Sequence, residues 1–203
     1  MVMKQNKIKK LKTLSETKFL KFYEAEYENK LGNMKTWTIA SRKNEDVLND
    51  RFFKGKEDCD DAVVVVALHK PSNKLVIIKQ FRIPINSYVY ELTAGLIDPG
   101  EDAKMTIERE LMEETGLKVV EVIKVINKLY LSPGMTDESV MMAYCTCEGE
   151  INDKNLEDDE CIEAMLISQE ESRKLLERNE KMDAKCFTIL QSYALLGEKL
   201  FTE

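Results

Sequence analysis

Apolar and polar side chains alternate along two stretches near the start of the chain. Residues 19–28, FLKFYEAEYE, and residues 34–42, MKTWTIASR, follow this alternation over much of their length, which is the period of a β-strand. The segment NKLGN between them supplies a turn, so the pattern predicts a β-hairpin. Residues 43–61 are polar without a sustained period and are expected to form a linker. The basic start of the chain is expected to be a solvated tail or a first helix.

Apolar runs typical of strands follow in the remainder of the chain. They are AVVVVALH, KLVIIKQFRI, SYVYELTAG, KVVEVIKVINKLYLS, SVMMAYCTC and CIEAMLIS. The last part has a helical pattern, because Ser168 and Glu171 form a capping box before SRKLLERNE and Asp183 is placed to cap AKCFTILQSYALLGEKL. Strands around one central helix, with further helices at the end, predict an α/β fold with a mixed sheet.

The central helix is bounded by two signals. Asp102 is a good N-cap residue and Gly116 suits the position after the last turn, which predicts a helix over 103–115. Its helical period places three apolar side chains on one stripe: Ala103, Ile107 and Leu111.

Composition removes several classes of function. The chain has 203 residues and a formal net charge of −7, so it offers no basic stripe for nucleic acid. No run approaches the roughly 18 apolar residues of a membrane span, and the start lacks the apolar region of a secretory signal. His69 is the single histidine, which leaves almost no material for a His-based triad. Five cysteines without a CxxC pair favour reduced thiols in a cytoplasm.

Three carboxylates, Glu110, Glu113 and Glu114, project from one side of the central helix at the edge of its apolar stripe. Like charges one turn apart cost about 0.2–0.5 kcal/mol even when exposed, and partial burial adds to that cost. A charge-rich solvated face is one interpretation, and it suits Glu108, which points elsewhere. Because the other three border the core, the alternative is a hard divalent cation held by carboxylate oxygens, with magnesium the usual choice.

The spacing of this segment resembles the signature of a known family. Gly95, Glu101, Arg109-Glu110-Leu111, Glu113-Glu114 and Gly116-Leu117 match, position for position, the box GX5EX7REUXEEXGU of the Nudix hydrolases, where U is aliphatic. The resemblance implies a Nudix-type α/β/α sandwich with a mixed sheet, extended here by the N-terminal antiparallel hairpin. It also implies hydrolysis of nucleoside diphosphate derivatives with magnesium, or alternatively manganese, on the box helix.

Residue roles follow from the resemblance. Glu110 and Glu114 would be the principal metal ligands, and Glu113 a ligand or a group behind the ligands. The Ala94 carbonyl would complete the metal shell, while Glu101 and Arg109 would brace the loop against the helix. These roles agree with the chemistry, because a bridging cation offsets diphosphate charge near carboxylates as water attacks phosphorus.

Resemblance to one subfamily, the ADP-ribose pyrophosphatases, covers nearly the whole chain beyond the first dozen or so residues. In LYLSPGMTDE, Pro133 stands sixteen residues after the end of the box, where that subfamily carries a marker proline. KQFRIPI, YELTAGLID, TWTIASR and ECIEAMLIS are also similar to it. Thr93 is a departure, because many relatives have proline there, and it is expected to alter the strand end rather than the chemistry.

The subfamily resemblance assigns substrate-binding roles. Arg82 and Glu91 would face the phosphates, the ribose or the metal, and Arg42 would contact a phosphate or the terminal ribose. Trp37 would stack on adenine. Each has a plainer alternative: Trp37 as a hairpin or interface anchor, Arg42 as a surface charge, Glu91 as a brace of the strand end, and Pro133-Gly134 as an ordinary turn.

The general base has three candidates. The box helix offers Glu113, whereas the subfamily often uses a glutamate from a mobile loop. Glu160, just before CIEAM, matches that loop position, and Glu138 in MTDE is the further candidate. We favour Glu160.

The expected activity is metal-dependent cleavage of ADP-ribose, or of a related nucleoside diphosphate sugar, to AMP and ribose 5-phosphate. Another nucleotide sugar or a dinucleotide is an alternative substrate. A regulator that binds ADP-ribose without cleaving it is a further alternative, which the intact box disfavours. No nucleic-acid or membrane partner is expected.

Two regions and a homodimer are expected. Residues 1–61, the hairpin and linker, would serve dimerisation and substrate binding, and residues 62–203 would form the Nudix domain. A hairpin is marginal alone in water, and its apolar side chains need a partner surface. The polar linker would let the hairpin cross to a second subunit, as in related enzymes, so that each site draws Trp37 or Arg42 from the partner chain.

Overall fold

A computed structural model describes residues 7–157 and 160–202. The N-terminal part forms strands β1 (Lys7–Glu16), β2 (Lys21–Glu28) and β3 (Met34–Ser41), then helix α1 (Glu45–Lys54). The middle of the chain forms β4 (Ala62–His69), β5 (Lys74–Arg82), β6 (Ser87–Glu91), β7 (Thr93–Leu96), helix α2 (Ala103–Thr115) and β8 (Lys118–Tyr130). The remainder forms β9 (Ser139–Glu148), β10 (Ile162–Ile167) and helices α3 (Gln169–Glu177) and α4 (Ala184–Leu196). Short 3₁₀ turns cover Ile83–Ile85 and Gly197–Phe201.

The N-terminal sheet has three antiparallel strands in the order β1-β2-β3. The predicted hairpin is present as β2 and β3. The expectation of a solvated tail or helix before it is wrong from Lys7 onward, where β1 pairs with β2. Two register shifts, Ile8/Lys10 and Thr13/Ser15, interrupt β1, so its side chains lack the strict alternation that announces a strand. Residues 1–6 of the basic start lie outside the described residues.

The expected polar linker contains a helix, α1, which corrects that prediction. Leu48 is fully buried in a small core with Leu11, Tyr23 and Ala25 of the sheet. The helix was missed because Val47 and Phe53 face the solvent, so the segment shows no continuous apolar stripe.

A seven-stranded sheet forms the main body, with the path β10-β5-β4-β9-β8; β6 pairs with β5 and β7 with β4. The α/β class with a mixed sheet is confirmed. The predicted single strand SYVYELTAG is divided at Leu92 into β6 and β7, which pair with different neighbours. This division carries β7 to the start of the loop that leads into α2.

Helix α2 has the predicted bounds. The Asp102 side chain accepts a hydrogen bond from the Met105 N–H, and Gly116 ends the helix at φ 75° in the left-handed region. Ile107 and Leu111 are fully buried against apolar side chains of β4, β5 and β9, among them Val63, Val65, Val76 and Ala143. The next positions round the helix, including Glu110 and Glu114, therefore lie at the edge of this core.

The C-terminal helices begin at the predicted caps. Ser168 and Glu171 form the capping box of α3, which starts three residues earlier than SRKLLERNE and ends at Glu177. Asp183 caps α4, which ends at Leu196 before a 3₁₀ turn. None of the helices in residues 7–157 and 160–202 is long and apolar enough to cross a membrane.

Two compact units divide the chain. The first comprises the chain up to Asp61 together with Lys128–Val140, and the second comprises Ala62–Asn127 and the chain from Met141 onward. Residues 128–140, which include the SPGMTDE segment, therefore cluster with the N-terminal sheet.

Candidate active site

The candidate residues fall into two sets, one in each unit. The second unit carries the box residues and their neighbours: Arg82, Glu91, Ala94, Glu101, Arg109, Glu110, Glu113, Glu114 and Glu160. The first unit carries Trp37, Arg42 and Glu138.

Two carboxylates of α2 are buried against the strand that precedes it. Glu110 and Glu114 are only 8% and 4% exposed. The Glu110 carboxylate lies against Gly95 so closely that a Cβ there would be 1.8 Å from its Oε1. Glu114 Oε2 accepts a hydrogen bond of 3.2 Å from the Ala94 N–H. The leading glycine of the box is therefore a steric requirement of the Glu110 carboxylate.

Burial raises the pKa of both carboxyls. The pKa of Glu114 lies well above its usual range, because burial disfavours its charge and Glu110 and Glu160 repel it; the Ala94 N–H and Arg82 oppose the shift. Burial also raises the pKa of Glu110, and the Arg109 guanidinium opposes the shift. Glu160 contributes to both shifts, which puts its carboxylate within electrostatic reach of the pair.

Arg109 ties the box loop to the helix. Its Nε and Nη2 donate to Glu101 at 2.8 Å, and Nη2 donates to the Leu96 carbonyl at 3.0 Å. Its Nη1 donates to Glu110 at 2.6 Å and to Glu113 at 3.1 Å. The hydrogen bond from Arg109 is the main cause that lowers the pKa of Glu101 to about 2. These are the contacts expected of a brace.

Glu113 is placed differently from the two buried glutamates. Its side chain is 41% exposed and pairs with Arg109, whereas Glu108 is 48% exposed and pairs with Lys104. Within residues 7–157 and 160–202, no three acidic, histidine or cysteine side chains converge tightly enough for a metal ion. The oxygen ligands nevertheless fit a hard cation, because Glu110 and Glu114 are buried carboxylates that repel each other beside Gly95. An ion bound by both Glu110 and Glu114 would compete with Arg109 for the Glu110 carboxylate.

Arg82 and Glu91 form a close ion pair in the same unit. Arg82 Nε donates to the two Glu91 carboxylate oxygens at 3.1 and 3.0 Å, and Nη2 donates at 2.5 Å. The hydrogen bonding by Glu91 raises the pKa of Arg82, to which Glu114 also contributes. The Arg82 guanidinium therefore stays protonated, and its charge lies close enough to Glu114 to interact with that carboxylate.

The segment that leads to Glu160 is fastened to the end of α2. The Asn152 N–H donates to the Thr115 carbonyl at 3.0 Å, and the Asn155 side-chain amide donates to the Met112 carbonyl at 3.3 Å. The first bond satisfies a carbonyl of the last helical turn, and the second adds to the bond that the Met112 carbonyl already accepts from the Gly116 N–H. A cavity of about 330 Å³ lies beside them, and its lining includes Glu114. Sequence reasoning missed both asparagines, for which the only signal was an N-D-K-N turn composition.

The candidates of the first unit meet the SPGMTDE segment. Trp37 Nε1 donates to the Gly134 carbonyl at 3.1 Å, although the indole is 53% exposed. Arg42 Nε donates to Glu138 at 2.7 Å. A cavity of about 260 Å³ lies beside the indole, lined in part by Phe52, Tyr130 and Pro133 to Asp137. The sequence identified Trp37 and Pro133 separately but gave no sign that they line one cavity.

A family model described as the NUDIX domain matches residues 60–187. The ADP-ribose pyrophosphatase of Bacillus subtilis is 36% identical over 140 residues, which are 68% of this chain and 74% of that protein. The ADP-sugar pyrophosphatase of Mus musculus is 32% identical over 139 residues, which are 68% of this chain and 59% of the mouse protein.

One solved structure, described as the crystal structure of an ADP compounds hydrolase, is similar in fold. It matches with a TM-score of 0.71 and 18% sequence identity, and the match covers 98% of each chain. At that identity the likeness extends to the fold alone.

Proposed function

The chain belongs to the Nudix family, and we propose that it hydrolyses the diphosphate bond of ADP-ribose, or of a related nucleoside diphosphate sugar. The products from ADP-ribose are AMP and ribose 5-phosphate. The observation that carries this proposal is the pair of buried glutamates, Glu110 and Glu114, held by an intact box against Gly95. The relatives named ADP-ribose and ADP-sugar pyrophosphatase support the substrate class.

Nudix hydrolases generally use divalent metal ions, and we propose magnesium, with manganese as the alternative. The residues that would hold it are Glu110 and Glu114, with Glu113 and the Ala94 carbonyl as further donors. When bound, the ion supplies offsetting charge for the diphosphate and for the oxyanion that develops at phosphorus. The raised pKa of Glu114 supports this assignment, because burial and repulsion by Glu110 disfavour its charge, and a bound cation would offset both effects.

The protein groups divide the remaining work. Glu160 takes the proton of the attacking water as the bond from phosphorus to the bridging oxygen breaks. Its electrostatic reach to Glu110 and Glu114 supports this role, whereas the Glu138 and Glu113 carboxylates are engaged by arginines. Arg82, oriented by Glu91, binds a phosphate oxygen.

The N-terminal region contributes substrate binding in this proposal. Trp37 stacks on the base, and Arg42 contacts a phosphate or the terminal ribose. We propose that residues 1–61 serve this role and dimerisation, that residues 62–203 carry the chemistry, and that the enzyme is a homodimer. The exposure of Phe19 (64%) and Trp37 (53%) supports a further partner surface.

Free thiols support a reducing cytoplasm as the compartment. All five cysteines are unpaired within the described chain. Burial raises the pKa of Cys145, Cys147 and Cys186, which makes these thiols inert packing groups.

A substrate panel tests the proposed function. ADP-ribose, other ADP-sugars, a GDP-sugar and a dinucleotide are each incubated with the protein and magnesium, and nucleoside monophosphate release is followed. The proposal expects ADP-ribose or another nucleotide sugar to have the highest kcat/KM, with no release in excess chelator. ADP-ribose binding without turnover of any panel member would instead identify a non-catalytic regulator.

A further inference from the structure

A buried network of charges lies in the first unit, outside the residues assigned so far. Lys43 Nζ donates to Asp61 at 2.7 Å and lies 3.6 Å from both Asp58 and Asp137. The side chains of Lys43 and the three aspartates are each 10% exposed or less. A network this far from water depends on its partners, because removing one leaves an uncompensated buried charge.

Arg51 of α1 is the hydrogen-bonding bridge of this network. Its Nη1 donates to Asp58 at 2.7 Å and to Asp137 at 2.9 Å. Asp137 Oδ1 has no hydrogen-bond partner within residues 7–157 and 160–202, and Lys43 stays 3.6 Å from Oδ2. The Arg51 guanidinium therefore holds Asp137 by a hydrogen bond, whereas the Lys43 ammonium makes only a longer ion pair with it.

Asp137 belongs to the segment that holds Trp37 and Arg42. The Met135 carbonyl accepts from the Ala40 N–H of β3 at 3.0 Å, and the Gly134 carbonyl accepts from the Trp37 indole at 3.1 Å. Glu138, the next residue after Asp137, accepts from Arg42. Arg51 and Asp137 also line the cavity beside the indole. A shift of Asp137 would move both acceptors that orient the two proposed substrate-binding side chains.

We propose that Arg51 and Asp137 are positioning residues for the reaction. Their bond fixes segment 132–138, and that segment holds the Trp37 ring and the Arg42 guanidinium in the orientation that binds the nucleotide. The inference rests on the proposed function for its kinetic part. The claim that Arg51 and Asp137 set the orientation of Trp37 does not depend on any substrate.

The chain offers a direct reporter, because Trp37 is the single tryptophan. Three variants are compared: Arg51→Met, which removes the charge and the guanidinium that lies over the Phe52 ring; Arg51→Lys, which restores the charge; and Lys54→Met. Lys54 is the matched control, since it lies on the same helix and pairs with Asp50 at a 69% exposed position. Tryptophan emission, acrylamide quenching, the melting temperature and the KM and kcat for ADP-ribose are measured for each.

The inference predicts a specific pattern. Arg51→Met shifts the emission, increases quenching and raises KM about 10-fold with kcat within about twofold, which corresponds to about 1.4 kcal/mol of lost binding free energy. Arg51→Lys moves each value back toward wild type, and Lys54→Met changes none. If Arg51→Met does not fold, Arg51→Lys decides, because the shorter lysine side chain cannot reach Asp58 and Asp137 as Arg51 Nη1 does and must still perturb Trp37 quenching.

Two results overturn the inference. One is that Arg51→Met lowers the melting temperature but leaves Trp37 emission, quenching and KM unchanged, which would show that the network only stabilises the fold. The other is that Lys54→Met changes Trp37 emission, quenching and KM as much as Arg51→Met does. Absence of any nucleotide-sugar turnover in the wild type defeats the proposed function instead, and the fluorescence comparison then still decides whether Arg51 positions Trp37.

Discussion

At the scale of single residues, the three box carboxylates differ in their burial, and their spacing in the sequence does not predict this difference. Glu110, Glu113 and Glu114 were expected on one side of the helix. Glu110 and Glu114 are buried against β7, but Glu113 stays 41% exposed beside Arg109. The sequence predicted a functional role for all three carboxylates, because the box spacing is specific. It could not predict their unequal burial, which depends on where β7 crosses the helix.

The pKa of Glu114 predicts how the metal-free protein responds to pH. A carboxyl whose pKa is raised by folding binds its proton more tightly in the native state, so stability falls as pH rises above the ordinary glutamate value of about 4.3. Glu114→Gln removes this loss while keeping an acceptor for the Ala94 N–H. In excess chelator we expect Glu114→Gln to melt above wild type near neutral pH, and the difference to shrink toward about pH 4. The exposed Glu108→Gln is the control, and an equal gain there would contradict the explanation.

A substitution at Gly95 should affect metal binding without affecting folding. A Cβ at this position would meet the end of the Glu110 side chain, at 1.8 Å from Oε1, rather than backbone. Gly95→Ala should therefore displace the carboxylate, weaken divalent-cation affinity and lower kcat, while the melting temperature in chelator changes little. Calorimetric titration with manganese checks the affinity. Wild-type affinity in this variant would show that the cradle does not set the ligand position.

At the scale of elements, strands and helices with an unbroken period were predictable. AVVVVALH became β4, and the capped segment after Asp102 became α2 with the expected bounds. The misses share a cause, since each element interrupts its own pattern: β1 through two register shifts and α1 through exposed apolar side chains. Leu92 divides an apparently continuous strand because its two halves pair with different neighbours.

The segment before β10 predicts a base carried by a loop. Asn152 and Asn155 fasten its beginning to α2, and Glu160 stands at its end. Glu160→Gln should lower kcat by about 10²–10⁴, as expected for loss of a general base, with little change in metal affinity. Glu113→Gln and Glu138→Gln are the comparisons. If either of them shows that pattern instead, the base is on the box helix or in the SPGMTDE segment.

At the scale of the whole molecule, the contacts that matter are distant in sequence. Trp37 reaches Gly134 across 97 residues, and Arg42 reaches Glu138 across 96. No local pattern announces such a contact, so the sequence placed residues 128–140 with the main domain's strands, whereas they cluster with the N-terminal unit. Deleting residues 1–42 would expose Leu48 of α1, so dimerisation is better tested with the full chain.

Mixed dimers test whether sites are shared between chains. Trp37→Ala and Glu114→Gln are co-expressed with different tags, and the doubly tagged species is purified. If Trp37 acts on the partner's site, one of the two sites is intact and the mixed dimer retains about half of wild-type kcat/KM. A monomer by light scattering, or a mixed dimer no more active than the mean of its two parents, would rule the shared site out.

The most direct measurement is the rate of AMP release from ADP-ribose against magnesium concentration, for wild type, Glu114→Gln and Glu108→Gln. A neutral amide is a poor ligand for a hard cation and leaves the diphosphate charge less well offset. We predict no turnover without a divalent ion, loss of most activity in Glu114→Gln at saturating magnesium, and near wild-type activity in Glu108→Gln. Near wild-type turnover by Glu114→Gln, or full activity in excess chelator, would contradict the account.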